Sequence, residues 1–146
     1  MSVLSVERKA EIEESFAKQG LMKTFHANLD EVAYGKMVVS MPYSKAVSQQ
    51  HQFFHGGVIG ALADTACGYA AISIVADGDA ALTAEYKINL LAPADGERLI
   101  AVGSIIKPGR TLIACQGEVF IEKEGKRKLC AVMLMTMCVV KNLGHK

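Results

Sequence analysis

The spacing of apolar residues changes along the chain, and each change marks an element. From Ser5 to Gly20, Val6, Ala10, Ile12, Phe16 and Ala17 form a narrow apolar stripe in a charged segment, which predicts a surface helix. Ser5 suits its N-cap, Glu7 its positive end and Gly20 its stop. Lys23 to Met41 is rich in Val, Phe and Tyr and breaks near Tyr34-Gly35, the pattern of two strands. Tyr43 to Phe54 is polar and irregular, with a Gln49-Gln50-His51-Gln52 run.

The pattern then becomes apolar on every side. From Val58 to Ala76 the one charge is Asp64, and a helix is expected from His55 to Ala76. A helix apolar all round is either buried in a core or crosses a membrane, which takes about 20 residues. A central Asp64, with Thr65, Gly68, Tyr69 and Ser73, argues for the core, because a carboxylate in lipid costs several kcal/mol. Its many glycines and alanines let strands pack close. Asp77-Gly78-Asp79 ends it. Leu82 to Leu91 alternates with period two: Leu82, Ala84, Tyr86, Ile88 and Leu90 on one face, Thr83, Glu85, Lys87 and Asn89 on the other. Pro93 to Gly96 reads as a turn. Leu99–Ile106 and Thr111–Glu122 flank a hairpin at Lys107-Pro108-Gly109-Arg110. Glu124-Gly125-Lys126 makes a second hairpin into a strand over Leu129–Val140. One long helix against an antiparallel meander is an α+β fold, and the length, 146 residues, predicts a single domain over 1–146.

Composition narrows the partners. The chain is 51% apolar and 21% charged with a net charge of +1, a globular balance with no general field for nucleic acid or anionic membrane. Cys67, Cys115, Cys130 and Cys138 include no C-x-x-C pair and read as reduced, mostly buried thiols. The charged segment from Met1 to Glu14 lacks the pattern of a secretory signal. A cytoplasmic location is therefore expected.

Candidate chemistry centres on the apolar helix. His55-Gly56-Gly57 stands at its start, where backbone N–H groups are unsatisfied and partly positive. Such donors can polarise a carbonyl and hold an oxyanion; equally, two glycines can simply make a tight entry turn. Asp64 is either a carboxylate held by a structural hydrogen bond or a general base or nucleophile. Eight residues place Gly56 and Asp64 roughly 12 Å apart along the axis, whereas an attacking group must come within about 3–3.5 Å of the carbonyl. One helix cannot bring both to the same carbon. Two antiparallel helices from two subunits can, so joint catalysis requires at least a dimer.

His55-Gly56-Gly57, Ala61-Leu62-Ala63-Asp64-Thr65-Ala66 and Ile88-Asn89-Leu90-Leu91-Ala92-Pro93-Ala94 together resemble the phenylacetyl-CoA thioesterase (PaaI-like) branch of the hotdog superfamily, over roughly Gln49 to Val140. The resemblance implies a hotdog fold, a sheet wrapped around the helix. It implies hydrolysis of acyl-CoA by a homodimer with two shared sites, or a dimer of dimers. Gly56 matches the oxyanion-hole donor, Asp64 the acidic residue and His55 the motif histidine. Gln49 falls where an Asn or Gln contacts the attacking water or the acid, and Thr83 where a Ser or Thr hydroxyl positions water. Gly57 and Arg110 fall on the substrate side. Gln52 departs from the pattern, which often has glycine there.

His51 and His55 have helical metal-ligand spacing, but no further ligands accompany them, so neither metal nor cofactor is expected. Cys67 has no local base and reads as a structural thiol rather than a nucleophile. Lys107, Arg110, Lys126, Arg127 and Lys128 read as solvated turns or, at Arg110, as a contact to the phosphates of CoA. Phe53-Phe54 fits an acyl pocket or the core equally. The rival function is a non-catalytic acyl-CoA binding or sensing module, which would need no acid at Asp64. The His-Asp arrangement of the superfamily's hydratases is not seen. The acyl group and the choice between base and anhydride routes are left open.

Overall fold

The computed structural model describes residues 2–143; Met1 and residues 144–146, the ends of the expected domain, lie outside the described residues. Helix α1 spans Val6–Ala17, and the Ser5 hydroxyl accepts from the Arg8 N–H at 3.1 Å, the expected cap. Gly20 does not end α1. It opens a short helix, α2 (Gly20–Thr24), so the first strand starts at Asn28 rather than near Lys23. The stripe is also narrower than expected: Ile12 and Phe16 are buried, while Val6, Ala10 and Ala17 face solvent. Ile12 and Phe16 are four apart and share one line of the helix, which Arg8 continues. The Arg8 guanidinium donates to the Ile72 carbonyl at 2.8 Å, and Ser15 hydrogen-bonds the Tyr69 hydroxyl at 3.0 Å.

Strands β1 (Asn28–Ala33) and β2 (Lys36–Pro42) form a hairpin whose turn needs Gly35 at φ +73°. The central helix α3 spans Gly56–Ile72 and ends four residues before the expected Ala76. Ser73 closes it: its hydroxyl donates to the Ala70 carbonyl at 2.7 Å and accepts from the Gly35 N–H at 2.8 Å. With Arg8 on the Ile72 carbonyl, the negative end of α3 is satisfied without a further turn.

Strands β3 (Ala80–Leu90), β4 (Arg98–Lys107), β5 (Leu112–Lys123) and β6 (Lys126–Val140) complete one antiparallel sheet of order β1-β2-β4-β5-β6-β3. α3 lies against it. Its sheet-facing residues are small (Ala63, Ala66, Cys67 and Ala70 are all fully buried), and the sheet is hollowed beneath them by Gly103 and Gly117, paired across β4 and β5. A Cβ on Gly103 would stand 2.4 Å from the Ala66 carbonyl carbon, so helix backbone rests directly on strand backbone. Among the described residues, no helix is long and apolar enough to cross a membrane.

The alternation expected along β3 fails at one point. Thr83 pairs with Met137 of β6 and Glu85 with Thr136, leaving Ala84 as an extra residue in a β-bulge. A bulge reverses the phase of a strand. Thr83, opposite the buried Met137, therefore faces α3 together with Tyr86, Ile88 and Leu90, opposite Met135, Met133 and Ala131. Thr83 does not belong to the outer face.

Candidate active site

His55 is the N-cap of α3, and its Nδ1 accepts from the Gly57 N–H at 2.8 Å. In a neutral imidazole that leaves the proton on Nε2, on a ring exposed to solvent. Gly57 has its N–H committed to this cap, and its missing Cβ makes room for the ring, which would otherwise lie 3.1 Å away. Gly56 is the first residue of the helix, and among the described residues nothing accepts from its N–H. That donor sits at the positive end of a 17-residue helix.

Asp64 lies two turns on, half-buried, on the same side of α3 as Gly56 and Gly60. Its Oδ1 accepts from the Thr83 hydroxyl at 2.6 Å, while among the described residues its Oδ2 has no donor. Thr83 also touches the Met137 sulfur at 3.5 Å, but one hydroxyl proton serves the shorter, charged acceptor better. Along this face each α3 position meets a β3 side chain. Leu90 Cδ1 lies 2.9 Å from where a Cβ on Gly56 would be, and the Tyr86 hydroxyl 3.4 Å from that of Gly60.

The other expected site residues lie apart. Gln49 organises its own loop: its N–H donates to the Phe53 carbonyl, its carbonyl accepts from the Gln52 N–H, both at 2.9 Å, and its side-chain oxygen accepts from the His51 N–H. Within one chain it makes no hydrogen bond to Asp64 among the described residues. Gln52 has φ +67°, so the chain keeps the left-handed turn that glycine favours, with glutamine bearing the strain. Arg110 is exposed on the β4–β5 turn, with no ion pair among the described residues. Cys67 is fully buried beside Gly117, and burial pushes its thiol far above the ordinary range, as expected of a structural thiol. Among the described residues no group of three or more His, Cys, Asp or Glu is placed to hold a metal. Tyr86 and Leu90 are residues that sequence reasoning did not single out. Apolar strand residues carry no distinguishing signal until the bulge places them over Gly60 and Gly56.

A sheet of six antiparallel strands packed on one long helix is the hotdog fold. The sequence profile of the thioesterase superfamily matches residues 51–128, more than half of the chain. A thioesterase family protein of Silicibacter pomeroyi is 36% identical over 92% of this chain and 98% of its own, with a TM-score of 0.90. A proposed esterase of Saccharolobus solfataricus is 31% identical over 79% of this chain and 81% of its own length. The Escherichia coli PaaI protein of the phenylacetic acid degradation operon shares the fold, with a TM-score of 0.85 at 23% identity over 95% and 97% of the two chains. The Bacillus halodurans protein BH2602, solved with CoA, is 25% identical over 92% and 85%, with a TM-score of 0.75. The chain belongs to the thioesterase superfamily and is a hydrolase acting on acyl-CoA thioesters.

Proposed function

We propose that Asp64 and the Gly56 N–H catalyse this hydrolysis together, in sites shared between two subunits of a cytoplasmic homodimer. The observation that carries the reading is the pairing of Thr83 with Asp64 on the same face of α3 as the free Gly56 donor. The Thr83 hydroxyl fixes Oδ1 and leaves Oδ2 for the reaction. The Gly56 N–H of one chain holds the thioester oxygen, and the Nε2–H of His55, set by the Gly57 cap, supplies a second donor beside it. The partner's Asp64 takes a proton from water as it attacks the carbonyl, or itself attacks to give an anhydride that water then opens. Either route expels CoA as its thiolate, which is protonated on leaving.

The dimer is supported by separation and by the sheet edge. Gly56 and Asp64 of one chain stand roughly 12 Å apart along α3, too far to serve one carbonyl. β3, which faces both residues, pairs only with β6 and leaves an 11-residue edge open, with Leu82, Tyr86 and Leu90 exposed along it. A long open strand edge offers unpaired backbone groups for pairing with another strand. The CoA bound by the Bacillus halodurans protein supports CoA as the carrier here, with Arg110 free to meet its phosphates. Four free thiols, three of them buried, suit a reducing compartment. Five strands, β2 to β6, pack on α3, which supports a single catalytic domain.

Complementation tests the shared site. Asp64→Ala removes the acid and Gly56→Pro the N–H donor. Each variant alone should release little thiol from acyl-CoA. Refolded together, and once shown to form dimers containing both chains, they should regain part of the activity, because one site in each mixed dimer is intact. Mixed dimers with no recovered turnover exclude the shared site. Near-normal turnover by Asp64→Asn excludes Asp64 as the catalytic acid.

A further inference from the structure

The face of α3 that carries Gly56 and Asp64 also carries Gly60, midway between them, and the Tyr86 phenol stands over it. Tyr86 is 43% exposed, and its hydroxyl has no hydrogen-bond partner among the described residues, so neither the core nor a polar network accounts for the position. Its place comes from the Ala84 bulge, which turns Tyr86 onto the helix side with Thr83. Leu90, 53% exposed, forms the wall over Gly56. An acyl group whose carbonyl is held at Gly56 would run along Leu90 toward Tyr86, over Gly60. Four residues of helix, roughly 6 Å of axis, separate the carbonyl from the phenol.

We infer that Tyr86 closes the acyl groove at Gly60 and sets the length of acyl chain the enzyme accepts. The inference rests on the shared site proposed above. If Gly56 of one chain faces the partner's Asp64 and the reverse holds, the residue midway, Gly60, falls at the symmetry axis. Tyr86 then stands where one acyl groove would otherwise open into the other. A glycine at 60 leaves room above the helix, and the Tyr86 hydroxyl end stands in it, 3.4 Å from where a Cβ would be. The preferred substrates are acyl groups that end before the ring, and the side chain at position 86 is the ruler.

The test is a series of straight-chain acyl-CoA thioesters from acetyl to palmitoyl, with thiol release giving kcat/KM for the wild-type chain and for Tyr86→Phe, Tyr86→Leu and Tyr86→Ala. The wild type should show a cut-off beyond which kcat/KM falls. The cut-off should move to longer chains as the side chain shrinks, least for Phe and most for Ala, with the long-to-short ratio rising at least tenfold in Tyr86→Ala. Tyr86→Leu keeps the comparison alive if the alanine variant does not fold. A wild type without a cut-off, or a folded, dimeric Tyr86→Ala or Tyr86→Leu whose activities all change in the same proportion, overturns the inference. Asp64→Asn on the same series separates the two ideas. If it is inactive while the position-86 variants leave the profile unmoved, only the length ruler fails. If it retains turnover, the shared site itself fails.

Discussion

The Thr83 hydroxyl donates to Asp64 Oδ1 across 2.6 Å, tying an edge strand to the one charged residue of the central helix. In the proposed mechanism this bond fixes which carboxylate oxygen is left for chemistry. Thr83→Val keeps the shape and removes the donor. A hydrogen bond to a charged group is worth about 1.5–3 kcal/mol, so kcat should drop about tenfold or more, with KM changed much less. Thr83→Ser should restore most of kcat. A Thr83→Val enzyme with wild-type kcat would show that Asp64 needs no such anchor.

The contact between Gly103 and the α3 backbone makes a stability prediction. Gly103→Ala would push a methyl to within 2.4–2.5 Å of Ala66 and Cys67 backbone atoms, which cannot rotate away. Overpacking of this kind costs about 1–3 kcal/mol and sometimes more. Urea unfolding should show a lower midpoint, and Gly20→Ala, where a Cβ meets nothing, should not.

Acid sensitivity should appear at the start of β3. The Lys141 ammonium donates to Asp79 Oδ2 at 2.6 Å and the Asn142 N–H to Oδ1 at 3.2 Å. Chiefly through the Lys141 bond, and against the opposing effect of burial, the carboxyl is held below its ordinary value of 3.8. The native state therefore binds fewer protons than the unfolded state at low pH. This stabilisation is complete above the ordinary value and is lost as pH falls through the lowered one. Asp79→Asn should be less stable than wild type near neutral pH, and the gap should narrow and close as pH falls below the ordinary carboxyl value and through the lowered one. A gap independent of pH would deny the pair any role in acid unfolding.

Thiol accessibility gives a further check. Cys67, Cys115 and Cys130 are buried, and burial raises their thiols, to about 11 for Cys115 and Cys130. Cys138 is only partly covered. A thiol reagent at mildly alkaline pH should label at most Cys138 in the native protein and all four cysteines after denaturation. Rapid native labelling of Cys67 would contradict its place under α3.

How much of this was legible beforehand differs by element. α3 and Asp64 stand out because a single charge interrupts an apolar run. The β5–β6 hairpin was marked by Gly125, and Glu124 and Gly125 both take the positive φ (51° and 76°) that a two-residue turn requires. The α1 boundary was misjudged because Gly20 serves a helix start as well as a stop. The face of Thr83 was hidden for a different reason. Leu82 to Leu90 alternates without a flaw, and the bulge at Ala84 exists only relative to β6. It shows only in the register, with Thr83 and Tyr86 opposite Met137 and Met135, and no local residue announces it. Gln52 is the reverse case: the glycine-favouring conformation survives without the glycine.

The strand order bears on how the protein is made. β3 follows α3 directly in the chain but joins the sheet only through β6, which begins at Lys126. As the chain leaves the ribosome, Thr83 emerges long before Met137, the residue it must sit opposite. Until β6 is out, β3 has no neighbour to bond, and the bulge that aims Thr83 at Asp64 has nothing to be measured against. Asp64 is synthesised early, but its bond to Thr83 can be set only once β6 is in place, so a nascent chain stalled before β6 holds β3 without its neighbour and Asp64 without its anchor.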